Sequence, residues 1–407
     1  MSSVAASIST APTQTPVTVS SARVCRVCIV QPLVPHYRVP VFEMLSRQPG
    51  ISLSLWSDHL PQGSISPVRG SGSYEEVHTP FKYLGPVYWQ PKQVTAAKAA
   101  AAGRYDMVIF SWNARLVHLR HALRICRRAG VPTLLWGHGY SKNDTPHRRR
   151  IRNRMLNLSS GCIVYNHASA NRLASEGVDP SRIFVALNAI DQSPINEARN
   201  HWLARPEELA RFQHENDLAF GKSALFISRL EPAKGIDLLL EAYALLAKHQ
   251  PSGRLVIIGK GSAEQALRAK AAALGIAKRV TFVGSVYEES NLAPWFLSVS
   301  CMAYPVAIGL SILHAFGYGL PVVTSDDFAS HNPEIEALRP GDNGLAYRNG
   351  DVEDFAAKML ACMNDNNARA RMSEAAMQTV RSPDGFCIER MVKGFMDAIT
   401  TVRKPNA

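Results

Sequence analysis

The chain contains no run of about 18 or more uncharged apolar residues, so no helix that crosses a bilayer is expected. Acidic side chains are scarce, 33 Asp and Glu against 45 Lys and Arg, for a net charge of +12. That balance draws nucleic acid, anionic membrane surfaces and phosphorylated substrates. Nucleic acid ranks last of the three, because no recognised binding motif is present and the aromatic residues do not interleave with the basic ones. Cysteine offers no framework either: the seven are odd in number and scattered. Cys25 and Cys28 form a lone C-x-x-C inside an apolar strand, with no second pair at zinc-ligand spacing. Cys126, Cys162, Cys301, Cys362 and Cys387 read as small core residues, which fits a reducing cytoplasm. The first 21 residues lack any charged side chain, and they lack the basic and continuous apolar regions of a signal peptide; a disordered tail is expected there.

What is present is an α/β pattern. At 407 residues, 46% apolar and 19% charged, the chain has the composition of a globular protein too long for one core, so two domains are expected. From Arg23 onward short apolar runs alternate with helical stretches, as parallel α/β layers require. Polar residues stand where such strands end. Pro35 to Pro40 is a proline-stiffened loop carrying His36, Tyr37 and Arg38, polar groups at a strand end where a ligand is expected to bind. Trp112, Asn113 and Arg115 follow the strand at Asp106 to Ser111, and G-H-G-Y, with His138, follows Val131 to Trp136, with Lys142 just beyond. Pro61 to Tyr74 reads as loop. Pro146 to Arg154 collects Arg148, Arg149, Arg150, Arg152 and Arg154; a helix that lies on anionic lipid and a solvated basic face stand level as readings of it.

The stretch Met302 to Ser325 organises the second half. An apolar strand runs into a turn with Pro305 and Gly309, and a helix opens at Leu310-Ser311. The N–H groups of Gly309, Leu310 and Ser311 would face outward at a positive helix end, a seat for an anion. Upstream, Phe226 to Tyr243 repeats the strand-turn-helix form with Arg229 and Lys234 in the turn, a fork and a point charge suited to a diphosphate. Gly259-Lys260-Gly261 follows another strand; alone it is a weak phosphate-loop signal.

Taken in order, Ser228-Arg229-Leu230 to Lys234-Gly235, Ile258 to Gly261, Val280 to Gly284 and Gly309 to Val323 resemble the carboxyl-terminal half of family 4 retaining glycosyltransferases. The resemblance implies a GT-B fold: two Rossmann-like α/β/α domains facing a central cleft. The first would run over 22–192 on the acceptor side and the nucleotide-sugar domain over 221–384. A linker with a helix would occupy 193–220, and a final helix in 385–407 would pack back on the first domain. It places Arg229 and Lys234 on the donor diphosphate, His138 near the reacting sugar, His36, Tyr37 and Arg38 on the acceptor side, and Gly259, Gly261, Val286, Tyr287, Gly309, Leu310 and Ser311 around the nucleotide sugar. The sequence departs from the family at two positions, where Val306 and His314 replace glutamates that contact the donor sugar and the ribose. His314 retains hydrogen-bonding capacity; Val306 does not. Glu334 or Glu336 is a candidate replacement, with a surface carboxylate as the plainer alternative. No D-x-D triplet is present, so a metal-free transfer to a glycan or lipid-linked acceptor, in polysaccharide biosynthesis, is the expectation. The rival expectations are a catalytically inactive nucleotide- or glycan-binding protein of the same fold and a sugar-nucleotide epimerase.

Overall fold

A computed structural model describes residues 24–58, 72–140, 145–218, 221–250 and 252–403. The tail expected over 1–21, most of the loop expected at Pro61 to Tyr74, and Lys142 lie outside the described residues.

The first domain is built from β1 (Cys25–Leu33), α1 (Val39–Ser46), β2 (Ile51–Asp58), β3 (Glu75–His78), the hairpin β4 (Lys82–Leu84) and β5 (Val87–Trp89), α2 (Lys92–Ala101), β6 (Met107–Ser111), α3 (Leu119–Arg128), β7 (Thr133–Trp136), α4 (Pro146–Leu156), β8 (Gly161–Val164), α5 (His167–Ser175) and β9 (Ile183–Val185). Seven strands form one parallel sheet in the order β3-β2-β1-β6-β7-β8-β9. A parallel sheet must be covered on both faces, and β1 shows how the sequence achieves this. Cys25, Val27 and Ile29 enter the core beneath α1, whereas Cys28 and Val30 enter the core beneath α2, α3, α4 and α5. Cys25 and Cys28 therefore point to opposite faces, so the C-x-x-C cannot act as a pair. All seven cysteines are free and buried.

Two helices, α6 (Ser193–Leu203) and α7 (Pro206–Glu215), follow the first crossing between domains. The linker expected at 193–220 is instead docked on the second domain. Trp202 Nε1 donates to the Ser290 carbonyl at 2.8 Å, and the Phe212 ring packs edge-on to Trp295 at 4.8 Å. Aromatic burial fixes a segment whose polar sequence reads as a spacer.

The second domain contains β10 (Ala224–Ile227), α8 (Ile236–His249), β11 (Leu255–Ile258), α9 (Glu264–Ala273), β12 (Val280–Gly284), α10 (Glu289–Leu297), β13 (Cys301–Tyr304), α11 (Ser311–Gly317), β14 (Val322–Ser325), β15 (Gly344–Tyr347), α12 (Val352–Asn364) and α13 (Asn366–Arg381). Its sheet is parallel throughout, in the order β12-β11-β10-β13-β14-β15. The last helix, α14 (Ile388–Val402), returns to the first domain. There Gly394 lies so close to the Val185 carbonyl that a Cβ would collide with it, and the Phe395 ring meets Trp136 at 4.8 Å.

Both sheets reverse their strand order beside their first strand, between β1 and β6 and between β10 and β13. The crevices at the carboxyl ends of these strands are where open α/β sheets bind ligands. Among the described residues no helix is long and apolar enough to cross a membrane.

Phe395 is fully buried beside Trp136. Replacing it with Ala is expected to cost about 3–5 kcal/mol, read as a lowered urea midpoint of tryptophan fluorescence. An unchanged midpoint would show that α14 is dispensable to the first domain.

Candidate active site

At the second crevice Ser228 follows the end of β10, Arg229 is exposed, and a short 3-10 turn over Pro232–Lys234 leads to Gly235 at φ +62°. This left-handed residue lets the chain reverse and start α8 at once. A Cβ at Gly235 would stand 3.3 Å from Val306 Cγ2, so the Arg229–Lys234 turn and the turn after β13 abut. Lys234 Nζ sits 5.7 Å above the Tyr304 ring, and the Tyr304 hydroxyl donates to Ser228 Oγ at 3.0 Å. Neither Arg229 nor Lys234 forms an ion pair among the described residues.

The turn from Pro305 to Gly309 is pinned from three sides. The Tyr347 hydroxyl donates to the Pro305 carbonyl at 2.8 Å. Ile308 N donates to His331 Nδ1 at 3.0 Å, and Asn332 N donates to the Ile308 carbonyl at 3.0 Å. Ala307 takes φ +50°, a strained value for a residue with a side chain. With the turn held so, the N–H groups of Gly309, Leu310 and Ser311 have no acceptor among the described residues. Two cations and three amides thus collect at one crevice, an arrangement that stabilises negative charge.

The structure revises several expected roles. A Cβ on Gly259 would collide with the Ser228 carbonyl, and one on Gly261 with the Leu230 carbonyl. These glycines are required because two strand ends pack backbone to backbone, and they hold the Arg229 turn in place. Val286 is half-buried against the core, and Tyr287 is exposed at the rim of a pocket with Trp202, Phe212 and Trp295. His314 is not free for a ribose. Its Nε2 lies 2.7 Å from Glu289 Oε1, and its ring packs on Phe296 at 4.8 Å. The Tyr318 hydroxyl donates to the same Glu289 oxygen at 2.6 Å. Glu289 was missed from the sequence; its only signal is an acid in the first turn of a helix directly after Val286-Tyr287.

On the first domain, His138 is exposed at the end of β7, its ring edge-on to Tyr165 at 4.9 Å. Gly139 takes φ +74°, with Leu173 and Val164 close behind it, so its left-handed turn projects His138. His36 is exposed and Tyr37 half-buried. Burial holds the His36 imidazole below its ordinary value and, despite Arg38, raises the Tyr37 phenol. Arg38, expected as a polar contact for an acceptor, is only 6% exposed. Its guanidinium lies 5.2–5.4 Å from the rings of Tyr37, Trp136 and Tyr165, and Nη1 donates to Met391 Sδ. Cation–π packing makes it a bolt between the loop and α14. Arg115 is likewise engaged, with Nε on the Pro86 carbonyl and Nη1 on the Tyr88 hydroxyl. Arg152 is 7% exposed and 3.8 Å from Glu176, so it belongs to the interior and not to the basic face of α4.

The domains meet beside this site. Glu336 accepts from the amides of His167 at 3.2 Å and Ala168 at 3.1 Å, capping α5 across the cleft, and lies 2.5 Å from His167 Nδ1. It is therefore committed to the domain contact. Asn166 Nδ2 donates to the Pro333 carbonyl at 3.2 Å. Buried Glu334 accepts from Asn188 Nδ2, and Asn332 and Glu334 both flank Gly309. A pocket of about 560 Å³ continues from there between Tyr140, Arg172, Phe328 and Ile335.

Residues 210–379 match the family model of glycosyl transferases group 1. The match begins within α7 and covers nearly all of the second domain. Over 356 residues the chain is 26% identical to the D-inositol 3-phosphate glycosyltransferase of Thermomonospora curvata, covering 83% of this chain and 74% of that one. In fold it is similar to Anabaena HepE, solved in complex with UDP, with a TM-score of 0.68 at 17% identity over 93% of this chain and all of the other. A glycosyltransferase from Rickettsia africae gives 0.70 at 15% identity, over 94% and all. The matched region thus contains the cations and amides, and both halves have the GT-B architecture.

Burial opposes ionisation of Glu289, but the hydrogen bonds from His314 and Tyr318 outweigh it and hold the carboxyl below its ordinary value of 4.5. A depressed carboxyl stabilises the fold in full above its unfolded value and loses that contribution as the pH falls through the lowered one. Urea unfolding of wild type and Glu289→Gln is expected to show a stability gap at neutral pH that narrows below about pH 4. A gap independent of pH would deny Glu289 its charge.

Proposed function

We propose that this protein transfers a sugar from a nucleotide-sugar donor to a glycan or lipid-linked glycan acceptor, with retention of configuration and without metal. The observation that carries the proposal is the pair Arg229 and Lys234, left without carboxylate partners beside the amides of Gly309, Leu310 and Ser311. In the reaction the bond from the anomeric carbon to the diphosphate oxygen breaks, and the electron pair leaves with the phosphate. The acceptor hydroxyl oxygen forms the new bond, and its proton passes to the leaving diphosphate. Arg229 and Lys234 hold the charge that develops, and the amides share it. His138 stands on the sugar side. Glu289, presented by His314 and Tyr318, supplies on the donor side a carboxylate that the family carries at the position of His314. UDP sugars are the first donors to test, because the similar Anabaena structure holds UDP. His36 and Tyr37 face the acceptor, and the exposed α4 arginines 148, 149, 150 and 154 favour peripheral residence at the cytoplasmic face of a membrane.

A thermal-shift screen of UDP and GDP sugars should give stabilisation by one nucleotide class, abolished in Arg229→Ala/Lys234→Ala. Lys234→Ala alone should lower turnover about 10²–10³-fold. Turnover near normal in that variant would remove Lys234 from the chemistry.

A further inference from the structure

The positive charge of this chain is not spread over it. Residues 79–158 hold fifteen Lys and Arg against two acidic residues, a net +13, and the other 327 residues together carry −1. The structure gathers much of that charge on one face. Arg120, Arg124, Arg127 and Arg128 point outward from α3, while Leu119, Ala122, Leu123 and Cys126 on its other side fill the core. Beside it α4 exposes its own arginines, and Arg127 Nη1 reaches the Asn157 carbonyl at the end of α4. Neither helix contains an acidic residue, and the four α3 arginines ion-pair with no carboxylate among the described residues.

Next to this face stands the β4–β5 hairpin, which belongs to neither large sheet. It turns through Gly85, at φ +57°, and Pro86. Tyr83 is 65% exposed, Leu84 48%, Trp89 42% and the adjoining Val117 45%. Such a cluster of large apolar side chains at a projecting tip is costly in water. The tip is nevertheless rigid: Arg115 braces it, Val117 N donates to the Tyr88 carbonyl at 3.2 Å, and the Trp89 ring rests on His118 at 4.4 Å. Nearby carboxylates are occupied, Asp58 by His78 and the Phe81 amide, and Glu75 by Arg104.

We propose that the β4–β5 hairpin and the outer faces of α3 and α4 form one docking surface for an anionic bilayer. The hairpin tip enters the headgroup layer and the arginines lie against lipid phosphates. Because the apolar side of α3 is already spent on the core, that helix contributes charge only, and insertion falls to the hairpin. Tyr and Trp suit the interfacial layer, and Leu84 and Val117 have no hydrogen bond to offer a nucleic acid. Charge and apolar insertion together give the two signals that stable peripheral binding takes. The inference deepens the membrane association proposed for α4 and is independent of the donor.

The test is co-sedimentation of the full chain with phosphatidylglycerol-containing and pure phosphatidylcholine vesicles at about 0.1 and 0.5 M salt. Wild type should prefer the anionic vesicles at least about tenfold and retain binding at the higher salt. Arg120→Gln/Arg124→Gln/Arg127→Gln/Arg128→Gln should lose at least about tenfold at low salt. Tyr83→Ser/Leu84→Ser/Trp89→Ser should bind at low salt and release at high salt. Circular dichroism melting shows whether each variant is folded, and the single change Leu84→Ser replaces any variant that is not. Hairpin variants that match wild type at both salts, or wild type that ignores vesicles while retaining duplex DNA, overturn the proposal. Vesicle binding as described in a protein that no nucleotide sugar stabilises would leave this surface standing and remove the transferase reading.

Discussion

Arg229 and Lys234 carry charge that no carboxylate of the described residues answers, at the point where the second sheet reverses its strand order. The amides of Gly309, Leu310 and Ser311 add positive potential to the same crevice. The surrounding structure maintains this arrangement. Gly259 and Gly261 let the Ser228–Leu230 turn press against the next strand end, Tyr347 and His331 fix the neighbouring turn, and Ala307 bears backbone strain within it.

The first domain exposes His138 at the end of β7, and its placement depends on how the domains meet. Besides the apolar packing of α14, the domains are joined by specific polar contacts from the segment after β14. Glu336 caps α5 across the cleft, and Glu334 holds Asn188 at the domain crossing while lying beside Gly309. One short segment therefore touches both the anion turn and the opposite domain. The geometry of that turn and the position of the domains are coupled through it, so the two carboxylates act as a structural link rather than as surface groups.

The protein thus has two positive regions of different build. The crevice is small and made of two side chains and backbone dipoles. The α3–α4 face is broad, made chiefly of arginine side chains, and bordered by exposed apolar residues. Recognition of a single diphosphate needs geometry; attraction to a planar array of phosphates needs only density of charge.

The sequence by itself determined the α/β class, the two domains, the strand ends that carry Arg229, Lys234 and His138, and the outward amides after Gly309. Each follows from local pattern: apolar runs of strand length, a glycine or proline where the chain turns, a polar residue where the strand stops. What it could not decide was partnership across distance. Arg38 reads as an open polar group, yet three rings and Met391, 353 positions away, enclose it. His314 reads as a ribose contact, yet it is bound to Glu289 from another helix. The 193–220 segment reads as a spacer until Trp202 and Phe212 find their aromatic partners, and the +12 charge gains a location only when α3 and α4 lie side by side. Periodicity reports which side of an element is buried; only the packed structure reports what is buried against it.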